Sequence, residues 1–255
     1  MNANGSHHGV PVSIQGISKS FGVRQALKDI SLEVGAGELF AIMGPSGSGK
    51  SLLLRHILGL ETPDTGEIQI AGCKVQTKCI SSEYGLSVVF QSGALLNSLT
   101  VAENVGLYFR EHRLKPKAEI HDLARNALQT VGLDPDYISN RMPGDLSGGE
   151  KKRVAIARAI VTEPDLLLYD EPTSELDPAS STLVAQAIVD LNERLNVTSI
   201  VVTHDRELAV GIADRIAILE AGSLLKVGAG KDFGNIEEHD LRRLLYADYS
   251  FRNPS

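Results

Sequence analysis

GPSGSGKS, residues 44–51, follows the apolar run ELFAIM (38–43) and opens a helical pattern at Lys50. It fits G-x-x-x-x-G-K-[ST] in the strand–loop–helix setting that the pattern needs. The glycines let the backbone curl so that successive N–H groups face an anion, and the helix start adds partial positive charge. Gly44, Pro45, Ser46, Gly47, Ser48, Gly49, Lys50 and Ser51 are therefore candidate phosphate contacts. Lys50 would reach the β- and γ-phosphates, and the Ser51 hydroxyl would ligate Mg²⁺. The loop points to a nucleotide without saying which one or for what.

Working outward, LLLYDE (166–171) is an apolar run that ends in two acids. A buried strand with a carboxylate at its tip suits a Mg²⁺ partner, which makes Asp170 the metal candidate. Glu171 is placed to take a proton from an attacking water. Upstream of the loop, VSIQGI (12–17) and ALKDISLEV (26–34) read as strands, with glycine turns at Gly22 and Gly35–Gly37. After it, Leu53, Leu54, Ile57 and Leu58 share a helical face, and Gly59 is a stop.

VAENVGLYFREHRL (101–114) and KAEIHDLARNALQTVGL (117–133) show helical spacing. Pro143–Gly144 breaks the run before GGEKKRVAIARAIV (148–161). The remainder alternates between short β-branched runs and helical stretches near 179–194 and 206–213. That predicts an α/β fold with a mainly parallel sheet, helices packed on it and a small antiparallel β-region.

Composition agrees with one large or two small globular domains. The chain has 255 residues, 42% hydrophobic, 22% charged, with net charge −7. It lacks the basic footprint of a nucleic-acid binder, so no nucleic-acid partner is expected, and Lys151–Arg153 reads as a basic run opening a helix. No apolar run approaches the ~18 residues of a membrane span, and the start of the chain has no secretory pattern. Cys73 and Cys79 read as reduced thiols.

LSGGE (146–150), between the loop and the acid pair, resembles the signature of ATP-binding-cassette (ABC) ATPases, where LSGGQ is usual. Four more stretches match that family in order. Gln91 follows the strand LSVVF as the Q-loop glutamine does, and SELD (174–177) resembles the D-loop, with Glu175 where Gly or Ala is commoner. His204 ends VTSIVVTH as the switch histidine does, and Phe21, 23 residues before Gly44, matches the aromatic that stacks on adenine.

The resemblance implies a P-loop ATPase over residues 11–235 with an inserted helical subdomain at about 92–162. ATP and Mg²⁺ are the implied cofactors, with Gln91 near the metal and γ-phosphate, and Glu171 and His204 at the chemistry. It also implies a head-to-tail dimer in which Ser147, Gly148 and Gly149 of one copy close over the ATP of the other. A separate membrane permease would dock beside Gln91, with the chain peripheral on the cytoplasmic face of the inner membrane.

FQSGALLNSLTVAENVGLYFREHRL (90–114) is similar to the ATPases of Mla-type phospholipid transporters. That likeness implies a lipid-binding MCE protein and a small accessory subunit as further partners. Another importer, a lipoprotein-releasing cassette, or a soluble ABC protein of translation or repair are the alternatives. Residues 1–10 are expected as a flexible start. Residues 236–249 are expected as a short amphipathic helix with Leu241, Leu244, Leu245 and Tyr249 on one face.

Overall fold

The structure, a computed structural model, describes residues 9–75 and 84–234. Most of the expected start, Cys79 and the expected 236–249 helix lie outside the described residues. β1 (Val12–Phe21), β2 (Arg24–Val34), β4 (Thr65–Ile70) and β5 (Cys73–Lys74) form an antiparallel sheet in the order β2-β1-β4-β5. β3 (Leu39–Met43), β6 (Leu86–Val89), β7 (Leu166–Asp170), β8 (Thr198–Thr203), β9 (Arg215–Glu220) and β10 (Ser223–Ala229) form the second, ordered β10-β9-β3-β8-β7-β6. Its pairs are parallel except β9–β10, so the fold is the expected α/β arrangement.

The period of two along a strand explains how this sheet holds the molecule together. On β7, Leu166 and Leu168 pack with β1, β2, β4 and the helix α1 (Lys50–Ile57). Leu167 and Tyr169 point the other way, into the helical side. All four are fully buried, which is why the strand reads as an unbroken apolar run rather than an alternating one.

The helical side comprises α2 (Val101–Val105), α3 (Leu107–Glu111), α4 (Lys117–Thr130), α5 (Pro135–Ile138) and α6 (Gly148–Ile160), between β6 and β7 in the chain. Three more helices follow: α7 (Pro178–Leu195), α8 (Arg206–Ile212) and α9 (Gly230–Gly234).

One expected helix, over 101–114, is two. Thr100 and Glu103 cap α2 reciprocally, and α2 ends at Gly106. A Cβ there would meet Ile120 Cγ2 at 2.4 Å, so the glycine lets α4 approach the break. Periodicity alone could not see that contact.

Asn104 fixes the loop between β6 and α2. Fully buried, it accepts from Leu96 N–H at 2.8 Å and donates to the carbonyls of Leu96, Leu99 and Thr100 at 3.0–3.1 Å. Asn104→Ala leaves the Leu96 N–H and the Leu99 carbonyl unmet, while the Leu96 and Thr100 carbonyls keep the N–H groups of Leu99 and residue 104, and should destabilise by about 2–3 kcal/mol in urea unfolding. A loss under about 0.5 kcal/mol would mean that the loop finds other partners.

Candidate active site

β3, β8, β7 and β6 are consecutive parallel neighbours, so the residues just past their carboxyl ends are brought to one edge of the sheet. Those ends carry Gly44–Ser51, His204, Asp170–Glu171 and Gln91 in turn. This is the crevice where open α/β sheets place ligands.

The loop 44–51 is built for close approach. A Cβ at Gly44 would meet the Leu219 carbonyl at 2.0 Å. Gly49 has φ 107°, a region that L side chains avoid. Gly49 is also the N-cap of α1 and gives that helix no side-chain cap, whereas Ser147, Asp177 and Asp205 cap α6, α7 and α8. The start of α1 therefore keeps its N–H groups for an anion.

Lys50 is buried, and its Nζ donates to the carbonyls of Gly44 at 2.8 Å and Pro45 at 3.0 Å. It lies 3.6 Å from Glu171 Oε1. Burial lowers the Lys50 pKa, opposed by the Glu171 and Asp170 carboxylates.

Ser51 Oγ donates to Asp170 Oδ1 at 3.0 Å, joining the two candidate metal ligands. Burial raises the Asp170 pKa, countered by that hydroxyl bond and reinforced by Glu171. Two hard oxygens backed by crowded negative charge fit Mg²⁺, which takes few protein ligands and fills its shell with phosphate and water.

Glu171 is held from several sides. His204 Nδ1 lies 2.8 Å from Oε2, and the His204 N–H and the Thr203 hydroxyl donate to the same oxygen at 3.2 and 3.3 Å. Its φ is 49°, left-handed for a residue with a side chain, and such strain concentrates at functional sites.

Gln91 is exposed, two residues beyond Val89, which pairs with Tyr169 on β7. Phe21, 52% exposed, closes the β1–β2 hairpin opposite Arg24, with Lys19 Nζ 5.5 Å from its ring centre. Farther along that hairpin, Leu27 Cδ2 lies 2.8 Å from where a Cβ on Gly49 would sit.

Ser147, Gly148 and Gly149 are not joined to this group. Ser147 Oγ accepts from Glu150 N–H while Glu150 Oε2 accepts from Ser147 N–H, a capping box. Gly148 and Gly149 pack against Leu176 and Ser180. Among the described residues no hydrogen bond or ion pair links 147–149 to 44–51.

The basic run 151–153 opens α6, as expected, and turns its middle residue inward. Lys152 is buried and donates to the carbonyl oxygens of Gln91 and, at 3.2 Å, Glu171, and to Ser174 Oγ at 3.3 Å. Burial lowers its pKa, opposed by Glu175, Glu171 and Asp170. Arg153 Nη1 donates to Gly132 O at 2.9 Å. The sequence assigns no site role to Thr203 or Lys152 and places Ser174 only as the first residue of SELD. For Lys152 a signal existed, since it lies in register with buried Gly149, Ile156 and Ala159 along α6.

The ABC transporter family profile matches residues 27–174. The "Probable ribonucleotide transport ATP-binding protein mkl" of Mycobacterium leprae is 36% identical over 93% of this chain and 69% of its own length. The sulfate/thiosulfate import ATP-binding protein CysA of Methylococcus capsulatus is 42% identical over 87% of this chain and 64% of its own length. The chain thus spans about two thirds of these curated relatives.

Among solved structures, a dimeric bacterial ABC transporter cassette superposes with TM-score 0.77 at 33% identity, covering 86% of this chain and 98% of that one. Its post-hydrolysis state bound to ADP and Pi gives 0.76 at 34%, with the same coverage. cbiO1 of Clostridium perfringens, part of the cbiONQ transporter complex, gives 0.79 at 28%, covering 91% and 92%. With this fold and this crevice, the chain belongs to the ABC transporter family as one of its ATP-binding, ATP-hydrolysing cassettes.

Proposed function

We propose that this cassette powers phospholipid transport across a two-membrane envelope through a separate permease. The observation that carries the substrate class is the stretch 90–114, similar to Mla-type ATPases. The structure folds it into the loop after β6 and the helices α2 and α3, with Val101, Asn104 and Val105 buried and Phe90, Leu96, Tyr108 and Leu114 at the surface. Such a run of exposed apolar side chains suits a protein contact. No helix among the described residues is long and apolar enough to cross a membrane, so on this reading the chain sits peripherally on the cytoplasmic face of the inner membrane. An MCE protein and a small accessory subunit complete the assembly.

Each site residue then has a task. Gly44–Ser51 wrap the ATP phosphates, with Lys50 trading the carbonyls of Gly44 and Pro45 for β- and γ-phosphate oxygens. Phe21 stacks on the adenine. Ser51, Asp170 and Gln91 would hold Mg²⁺, which would supply positive charge against the phosphates. Glu171 accepts the proton of the water that attacks in line, and His204 steadies that carboxylate and the γ-phosphate. Ser147, Gly148 and Gly149 act in trans in a head-to-tail dimer, since within one chain they stand apart from the loop. The dimeric state of the similar cassette supports that arrangement.

A second reading is favoured by the relatives named for sulfate and ribonucleotide transport, in which the cargo is a small anionic solute. A strain lacking the gene separates the two. The lipid reading expects a detergent-sensitive outer membrane with normal uptake of sulfate and nucleotides. An intact detergent barrier with one solute uptake lost would assign the anionic cargo instead and leave the ATPase chemistry as described.

A further inference from the structure

Lys152 has no place in the chemistry above, yet its ammonium sits where two segments of the site meet. Its acceptors are the Gln91 carbonyl, just past β6, the Glu171 carbonyl at the tip of β7, and Ser174 Oγ in the loop that follows. Ser174 in turn donates its hydroxyl to the Glu171 carbonyl at 2.9 Å and its N–H to the same oxygen at 3.2 Å. Three donors therefore meet three acceptors from two segments, the one after β6 and the turn 171–174 after β7, in a residue only 7% exposed.

Among the described residues no carboxylate lies within ion-pair distance of the Lys152 ammonium. Holding a buried cation without a direct counter-charge is expensive, and an apolar side chain of the same length would fill the space at lower cost. The cation is thus poorly explained as packing. What it does geometrically is fix the peptide of Glu171, the residue with left-handed φ, to the peptide of Gln91.

We infer that Lys152 is a positioning residue for hydrolysis: from the signature helix it clamps the Gln91 and Glu171 backbones together and so sets the Glu171 carboxylate against the attacking water. The inference rests on the proposed role of Glu171 as base. A side chain acts here at the far side of the peptide from the reacting atoms, so its removal should misplace the base while leaving the phosphate loop as it is. The effect belongs in kcat and not in the binding of ATP, because Lys152 makes none of its bonds to residues 44–51.

The test measures steady-state ATP hydrolysis in the assembled complex for Lys152→Met, Lys152→Arg, Ser174→Ala and Glu171→Gln. Lys152→Met keeps the stem and deletes the donors, and should lower kcat by about tenfold or more with KM within about twofold. Lys152→Arg keeps a cationic, multi-donor head and should return to within about threefold of wild type.

A Lys152→Met kcat within about twofold of wild type overturns the inference, as does a fall in kcat matched by an equal rise in KM. Should Lys152→Met fail to fold, Ser174→Ala leaves the lysine but removes one partner. It should lower kcat about threefold at constant KM, and a wild-type kcat there overturns the clamp. Glu171→Gln separates the layers. If it is inactive while the Lys152 variants are normal, the clamp fails and the base stands; if it is active, the base assignment itself fails.

Discussion

Glu171→Gln is expected to bind ATP within about threefold of wild type and to hydrolyse it about 10²- to 10⁴-fold more slowly, the range that removal of a positioned general base produces. The amide is nearly isosteric with the carboxylate, and its oxygen can still accept from the His204 N–H and Thr203 hydroxyl that hold Oε2 at 3.2 and 3.3 Å. The side chain should therefore stay in place while its capacity to take a proton disappears. Binding is spared for a second reason. Glu171 Oε1 lies 3.6 Å from Lys50 Nζ, and neutralising it removes a competitor for the lysine that the phosphates must recruit. Single-turnover hydrolysis and equilibrium ATP binding in the assembled complex check both halves. Turnover within about threefold of wild type would remove Glu171 from the role of base.

The carboxyl-end crevice was legible because each of its parts carries a local signature. A phosphate loop must have glycines where the backbone turns left-handed or touches a neighbour, and Gly49 and Gly44 meet those two needs. A strand buried on both faces must be apolar along its buried length, and Leu166–Tyr169 is, with the acid only at its half-buried tip. Thr65–Ile70 was harder to read, since its longer pairing is with β1, some 50 residues upstream, its nearby partner β5 is only two residues, and TGEIQI carries only a weak alternation by itself. The split between α2 and α3 falls at Gly106, where Ile120 packs too close for any side chain; the glycine is visible in the sequence, and its tertiary contact is not.

Lys152 shows the limit from the other side. In sequence it is the middle of Lys151–Lys152–Arg153, a basic run opening a helix. In the fold, the helical phase turns it inward beneath Gln91 and Glu171, segments that only the β6–β7–β8 order brings together. Glu175 has φ 64°, a conformation suited to glycine, and its carboxylate leads those that offset the buried Lys152 cation.

Lys50→Ala should give the opposite pattern to Glu171→Gln, with loss of binding first. The Lys50 ammonium is 5% exposed and rests on two neutral carbonyls of its own loop, those of Gly44 and Pro45. An arriving triphosphate offers charged acceptors in their place, and a hydrogen bond between ions is stronger than one to a carbonyl. Deleting one partner of such a bond costs about 1.5–3 kcal/mol, which is roughly a 10- to 100-fold loss of ATP affinity.

The alanine also leaves Glu171 and Asp170 without the cation that offsets them, so repulsion of the phosphates adds to the lost attraction. ADP should suffer less than ATP, because the γ-phosphate contact is absent in both wild type and variant. Calorimetric titration of a non-hydrolysable ATP analogue and of ADP, each with Mg²⁺, measures the two losses. Equal, unchanged affinities would reduce GPSGSGKS to a glycine-rich turn and the buried lysine to a brace for it.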